Sequence, residues 1–475
     1  MCDSGACLRE ARPLAWVLSS AHLCEHCSAC ATAGASLLRC AACKTVHYCG
    51  SKCRKADWPM HKAECVRMAH NGVPSDDVRL VCRLLDLFRQ SPARMHTKTH
   101  GRAFVHLQWH KETLTHAHER HALAQWMAQF RAHLRTDTDP LAHVCPNASF
   151  VVQTHPLSVI ETHLKCRYNA LAVLNARFSA IGLGLYVAHS RFDHSCQPTG
   201  RIVFRGVEAV YLPITSHALP AADWRQTCTH SYVHNLRRTE QRRTELMNAY
   251  SFWCECMACS DTLREARMNA AVCQYCSDGY FMIPPSSATT AVMCQCVCCA
   301  TEASIDDISL ARMATETARK VVDTVKPGAV ADVKTVTLCV KAMEITNGVL
   351  YKANVDLLRL AELAANVCAH AKPVNHGQCF EFARVAYDAA KQLCSAWDPY
   401  FVVKQTNVLT FAFAAVSASG CERALRAAAT EAVHEIVNEH ALMDKVQHVY
   451  GTLALDQELQ RIATLLRELT QLLQL

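Results

Sequence analysis

Eight side chains between Cys24 and Cys65 fall at spacings that suit metal binding. They are Cys24-Glu-His-Cys27, Cys40-Ala-Ala-Cys43, Cys49 and Cys53 after Tyr48, and His61-Lys-Ala-Glu-Cys65. Two CxxC pairs, a CxxxC and an HxxxC supply ligands for two tetrahedral zinc sites. In a cross-braced module the first pair shares a metal with the third, and the second with the fourth. That assigns Cys24, Cys27, Cys49 and Cys53 to one zinc, and Cys40, Cys43, His61 and Cys65 to the other. The metal then supplies the folding energy that so short a segment cannot draw from a hydrophobic core. Cys27-Ser-Ala-Cys30 is a second CxxC whose distance to Cys40 serves equally well. The reading taken here keeps Cys24 and Cys27, because apolar Leu23 precedes them and Cys30 opens an Ala/Thr/Gly stretch that looks like an insertion.

A second constellation lies in 181–259. It begins Ile181-Gly-Leu-Gly184-Leu-Tyr186 and continues through Phe192-Asp193-His194-Ser195-Cys196-Gln-Pro198. Ser231-Tyr232-Val233 follows, then Tyr250-Ser-Phe252-Trp-Cys254-Glu-Cys256-Met-Ala-Cys259. The CxCxxC run lacks a fourth ligand nearby, and Cys196 is the natural candidate. Four thiolates leave no open position, so this zinc would be structural. Farther on, Cys273-Gln-Tyr-Cys276 and Cys296-Val-Cys-Cys299 read as a zinc-ribbon-like module or as a thiol-rich loop, since Cys294 and Cys298 blur the pairing.

These strings resemble two known motifs in a known order. The run Tyr48-Cys49 to Glu64-Cys65 is similar to the second half of a MYND zinc finger. Asp193-His-Ser-Cys-x-Pro198 resembles the Asn-His-Ser-Cys-x-Pro motif of SET-domain lysine methyltransferases, and Cys254–Cys259 resembles their post-SET cysteines. Finger, SET core and helical tail together resemble the SET-and-MYND-domain family. The resemblance implies zinc and S-adenosylmethionine as cofactors. It also implies that Asn169, Asp193 and His194 contact the cofactor, that Tyr250 lines its site and that Phe252 stacks on adenine. Tyr232 would be the catalytic tyrosine, aligning a neutral lysine amine with the sulfonium methyl. The partners implied are lysine-bearing substrates or proline-rich peptides, bound by a monomer.

Four departures bear on that expectation. The family opens with a Gly-x-Gly-Leu strand ahead of the finger, whereas Leu8–Ala15 has no glycine pair, so only a remnant of the first SET strands is expected in 1–23. Asp193 replaces an amide, and an ionised carboxylate only accepts hydrogen bonds. The residues before Tyr232 lack the family's Gly-Glu-Glu-Leu, and His234 replaces an acid. A zinc-binding adaptor, recruiting peptides through the finger and the helical tail over a weak or inactive SET core, is therefore the alternative to an enzyme.

The elements that must hold these residues follow from pattern. A chain of 475 residues is too long for one core. The reading is α+β, in six parts: 1–23, the finger at 24–65, a helical insert at 66–148, the SET core and post-SET at 149–260, a Cys-rich segment at 261–300 and an all-α tetratricopeptide-like domain at 301–475. Arg201–Phe204 and Ala209–Ile214, joined at Arg205-Gly206, read as a hairpin. Leu357, Leu360, Ala361, Ala364 and Cys368 share one helical face. So do Phe382, Val385, Ala386, Ala389 and Leu393; Leu425, Ala428, Ala429, Ala432 and Ile436; and Leu455, Leu459, Ile462, Leu466 and Leu469. Ser286–Thr290 reads as a loop, Val408–Val416 as a buried helix too short to span a bilayer, and His106, His110, His116, His118 and His121 as a helix surface.

With 19% charged residues and 51% apolar, the chain is not a largely disordered one. A formal charge of +7 falls short of the concentrated basic face that nucleic-acid binding needs. Of 29 cysteines, 17 sit in 24–65 and 254–299. Zinc thiolates require reduced cysteine, which favours cytoplasm or nucleus. A zinc ligand directly after the weakly apolar Pro13–Ala21 argues against a signal peptide.

Overall fold

The computed structural model describes residues 11–34, 36–99, 103–134, 141, 158–175, 179–213, 228–284, 294–325, 331–394, 398–418, 422–450 and 456–474. The Ser286–Thr290 stretch lies outside them, as does Leu455.

The segment ahead of the finger contributes β1 (Ala15–Leu18), whose four residues are all buried. It pairs antiparallel with β5 (Ala180–Leu185), which pairs on its other edge with β4 (Ala170–Leu174). Crowding at the middle strand explains its Gly-x-Gly: a Cβ on Gly182 would come within 2.5 Å of the Val17 carbonyl oxygen. The finger is therefore inserted between two strands of one sheet. Its own short ribbon, β2 (Leu38–Arg39) with β3 (His47–Tyr48), leads into α1 (Ser51–Asn71).

Helix α2 (Asp76–Gln90) packs beneath β1 and against α4 (Val159–Asn169). Val78, Leu84, Leu85 and Phe88 bury its apolar stripe. Between them, α3 (Ala117–His133) covers the same core with Leu123, Trp126 and Phe130. The five histidines are less regular than expected. Only His118 and His121 lie on α3, while His106 and His110 belong to short turns before it.

The region expected to form the SET core continues with β6 (Asp193–His194), running parallel to β9 (Thr229–His230). The expected hairpin is present as β7 (Gly200–Arg205) and β8 (Glu208–Pro213), turning at Gly206 with φ +60°. Its edge reaches back to the N-terminal segment through the Ala11–Ala209 bridge. Then come α5 (Thr239–Tyr250), α6 (Met257–Ser260), α7 (Thr262–Met268) and the hairpin β10 (Ala270–Val272) with β11 (Tyr280–Met282).

Seven described helices complete the chain: α8 (Ile305–Thr324), α9 (Val333–Thr346), α10 (Val355–Ala369), α11 (His376–Leu393), α12 (Pro399–Ser417), α13 (Arg423–Tyr450) and α14 (Asp456–Leu473). Successive helices pack on one another with small residues at the contact. Ala361, Ala364, Ala386, Ala389, Ala412, Ala429 and Ala432 are buried, which lets backbones approach closely. Val408, Leu409, Ala412, Ala415 and Val416 are buried on α12, as is the preceding stretch 401–406, and no described helix is long and apolar enough to cross a membrane. Two ion pairs tie this array to the SET region. Arg201 donates to Asp398 at 2.7 Å, and Arg238 pairs with Asp356, which also accepts from Arg319 at 3.3 Å.

Candidate active site

The thiols come together in tetrahedral sets. With zinc–sulfur bonds of about 2.3 Å, the sulfur–sulfur edge of a tetrahedron is about 3.8 Å. Cys30 and Cys49 lie 3.6 Å apart and Cys30 and Cys53 3.9 Å, with Cys27 in the same group. Cys40 and Cys65 are 3.7 Å apart, and Cys43 lies 3.6 Å from His61 Nε2. The side chains converge in the cross-braced order, with one correction: the first set is Cys27, Cys30, Cys49 and Cys53, and Cys24 is exposed outside it.

The reason lies in the turn that follows a ligand pair. Ala31 and Lys44 take left-handed φ of 62° and 56° directly after Cys30 and Cys43. Each donates its N–H back to the first cysteine's carbonyl, Ala31 to Cys27 and Lys44 to Cys40. Cys27 N–H then meets the Thr32 carbonyl, so the stretch that looked like an insertion is the return arm of the knuckle. No such turn can follow Cys27 itself, because Ser28 donates to His47 instead.

His61 is held from behind. Its Nδ1 lies 3.2 Å from Glu64, which also accepts from Arg79 at 2.8 Å and from Arg83 at 2.6 Å. Such a second layer fixes the ring and its tautomer for a metal on Nε2. Burial alone would raise the Glu64 carboxyl, but the two guanidiniums and His61 hold it well below its ordinary value.

The third set is Cys196, Cys254, Cys256 and Cys259, with Cys196 3.9 Å from Cys254 and 3.6 Å from Cys259. The expected fourth ligand is in place. Cys273, Cys276, Cys296 and Cys299 also converge, and none of them lines the cavity described next.

Asn169, Asp193, His194, Tyr232, Tyr250 and Phe252 all line one cavity of about 1140 Å³. They reach it from the end of α4, from β6, from the loop after β9, and from the end of α5 and the residues beyond it. His194 links the cavity to this third thiol set. Its Nδ1 accepts the Tyr232 N–H at 3.0 Å, which leaves the proton on Nε2, 3.1 Å from Cys196 Sγ. The thiolate set, the imidazole and the tyrosine backbone thus form one strut.

The Tyr232 hydroxyl donates to the Phe192 carbonyl at 2.7 Å. Around its ring stand His230 and Tyr250, both with centroids at 4.9 Å, His194 at 5.2 Å and Phe252 at 6.4 Å. Burial pushes the His230 ring down to about 3, so it is a neutral wall. Asn169 donates to the Gln108 and Lys165 carbonyls at 2.8 and 2.9 Å, which leaves its Oδ1 as an acceptor. Asp193 is exposed, at the rim.

Residues the sequence reading did not single out complete the wall. Glu362 and Asn366 come from α10, and Tyr400 and Lys404 from α12. Their one signal was i,i+4 spacing on the polar faces of array helices, which any solvated helix shares. Lys404 pairs with Glu362, which holds the half-buried carboxyl below its ordinary range against the effect of burial.

Comparison with known proteins agrees with this geometry. The MYND finger family matches residues 24–65, a span that encloses both possible registers of the first cysteine pair. SET domain-containing protein 14 of Caenorhabditis elegans is 29% identical over 362 residues, 73% of this chain and 77% of that protein. Histone-lysine N-methyltransferase SMYD3 of Homo sapiens is 27% identical over 266 residues, 56% of this chain and 58% of its own length. N-lysine methyltransferase SMYD2 of Gallus gallus is 25% identical over 349 residues, 73% of this chain and 70% of that protein. The chain is thus similar, at 25–29% identity, to proteins that combine a SET domain with a MYND finger. The finger that the family model matches is the unit inserted between β1 and β5. Against the human protein the match spans little more than half of its length.

Proposed function

We propose that this chain is a SET-and-MYND-domain protein and a protein-lysine N-methyltransferase that uses S-adenosylmethionine, with the finger as a protein-interaction module. The observation that carries the reading is the convergence on one cavity of Tyr232, the aromatic wall and Asn169, braced by a thiolate set. The cavity is large enough for a nucleoside-sized ligand beside a narrow side-chain channel.

When bound, S-adenosylmethionine supplies an electrophilic methyl group on sulfur. The chain supplies alignment and a dry channel. Asn169 offers Oδ1 to the methionine end, and Phe252 offers a stacking face. Because Tyr232 spends its proton on Phe192, its oxygen presents lone pairs to the cavity. It accepts an N–H of the neutral lysine amine and so points the nitrogen lone pair along the transfer path. His194, His230, Tyr250 and Phe252 exclude water around that path. The departing amine proton leaves to solvent through the open rim at Asp193. The reading includes a monomer in a reducing compartment, cytoplasm or nucleus, with Trp58 and Leu38, both exposed on the finger, offering an apolar face to proline-rich peptides.

Calorimetry with S-adenosylmethionine, together with transfer of labelled methyl to lysine peptides, tests this. Phe252→Ala is expected to weaken cofactor binding about tenfold, since an aromatic contact adds about 1 kcal/mol beyond its area. No binding by the unaltered chain would overturn the reading.

A further inference from the structure

The described residues of the Cys-rich segment 261–300 line no part of the cavity, yet they are built with the same devices as the finger. Cys273 and Cys299 lie 3.7 Å apart, as do Cys276 and Cys296. Main-chain N–H groups point at sulfur, Tyr275 to Cys273 at 3.4 Å and Cys298 to Cys296 at 3.3 Å. Ala300 takes a left-handed φ of 58° and donates to the Cys296 carbonyl, repeating the turns at Ala31 and Lys44. Gly279 closes the set. A Cβ there would stand 2.3 Å from Cys296 Sγ and 2.4 Å from Cys276 Sγ, so the hairpin admits only glycine against the sulfurs. Cys298 is exposed and Cys294 buried, and neither belongs to the set.

The hairpin that carries these thiols belongs to the helical array. Ala271, Phe281, Ile283 and Cys294 are buried in the array's core. Val272 N–H donates to the Val349 carbonyl at 2.9 Å, and Tyr351 N–H to Ala270 at 3.0 Å. Asn354, wholly buried, works both ways. Its Nδ2 donates to the Ala270 carbonyl at 2.9 Å, while its Oδ1 caps α10 by accepting from Asp356 N–H. Two turns along α10 stand Glu362 and Asn366 in the cavity wall. A line of contacts thus runs from the thiols through β10 and Asn354 to α10.

We propose that Cys273, Cys276, Cys296 and Cys299 hold a fourth structural zinc, and that this zinc ribbon fixes the start of α10 and with it the array side of the cavity. Four thiolates in a closed tetrahedron suit zinc, with iron the other metal that accepts such a set. Metal binding supplies the folding energy of a hairpin whose strands are only three residues each. The inference is independent of which reaction the cavity serves.

The test is metal analysis of the full-length protein purified without added metal, with hydrogen exchange as a second readout. Four zinc ions per chain are expected in the unaltered protein, three in Cys276→Ser and four in Cys298→Ser. In Cys276→Ser, exchange is expected to rise at least tenfold across 349–366, while 15–18 and 180–185 stay unchanged. Three zinc ions in the unaltered protein would overturn the proposal, and so would iron in place of the fourth. Unchanged exchange in 349–366 after loss of one zinc would overturn its clamping role. Should Cys276→Ser fail to fold, the count in the unaltered chain still decides the site.

Discussion

Tyr232 meets the Phe192 carbonyl through its hydroxyl while its ring stays locked among four aromatic neighbours. Tyr232→Phe therefore keeps the ring and loses the group that aligns the amine. Methyl transfer should fall about 100-fold or more, the scale of a small misalignment, while cofactor affinity changes by about threefold at most. A parallel fall in both, measured by calorimetry and single-turnover transfer, would place the hydroxyl in binding instead. A second residue-scale expectation concerns the finger. Cys30→Ser should remove one zinc and Cys24→Ser none, which metal analysis of the two variants settles. Ligand chemistry made the finger readable, because zinc fixes both residue types and spacing. It left Cys24 and Cys30 open, since both make CxxC pairs with Cys27. What separates them is the backbone turn at Ala31, and alanine carries no sign of a left-handed φ.

Among the elements, α3 and α4 meet through His163, stacked on Trp126 with ring centroids 3.8 Å apart. Burial pushes the His163 ring down to about 4, from a free value of about 6.5. The unfolded chain thus takes up a proton below pH 6.5 that the folded chain refuses until near 4. Stability therefore falls as pH drops through that window, by about 3 kcal/mol in all, and is unaffected by this ring above it. His163→Gln should lose about 2 kcal/mol less than the unaltered protein between pH 7 and 5 in urea unfolding; parallel losses would refute the assignment. Elements of this kind were partly legible. The 3.6-residue period marked the array helices through Leu357, Leu360, Ala361 and Ala364, all buried as expected. The short strands were harder, because β6 and β9 are two residues each and their pairing joins segments far apart in sequence.

At the scale of the whole molecule, the region of 180–260 and the array share the cavity, and Asp356 is one of the two charged ties between them. It is buried and receives both Arg238 and Arg319. Asp356→Ala leaves those guanidiniums facing each other without the carboxylate they share. Removing one member of a buried pair costs about 3 kcal/mol or more. Chemical unfolding should show that loss; a change under about 0.5 kcal/mol would mean that the Asp356 pair adds nothing to the joint. None of this was visible in the sequence. Glu362, Asn366, Tyr400 and Lys404 become site residues only because the chain returns to the SET core long after leaving it.

The pairing of β1 with β5 also sets a timetable. Leu18 leaves the ribosome roughly 160 residues before its partner strand, an interval of about 8 to 30 seconds at ordinary rates of synthesis. Through that wait the newborn strand would offer an open edge to other chains. The finger and α2 are complete within the first part of the interval, and they supply an escort. Arg83 donates to the Trp16 carbonyl at 2.9 Å and Arg79 to that of Leu18. Both guanidiniums are themselves anchored on Glu64, beside the metal-binding His61. Zinc captured early by the nascent finger would thus chaperone an edge strand until its partner arrives. Zinc-starved cells should then lose this protein to aggregation during synthesis, before any finished copy has a metal to give up.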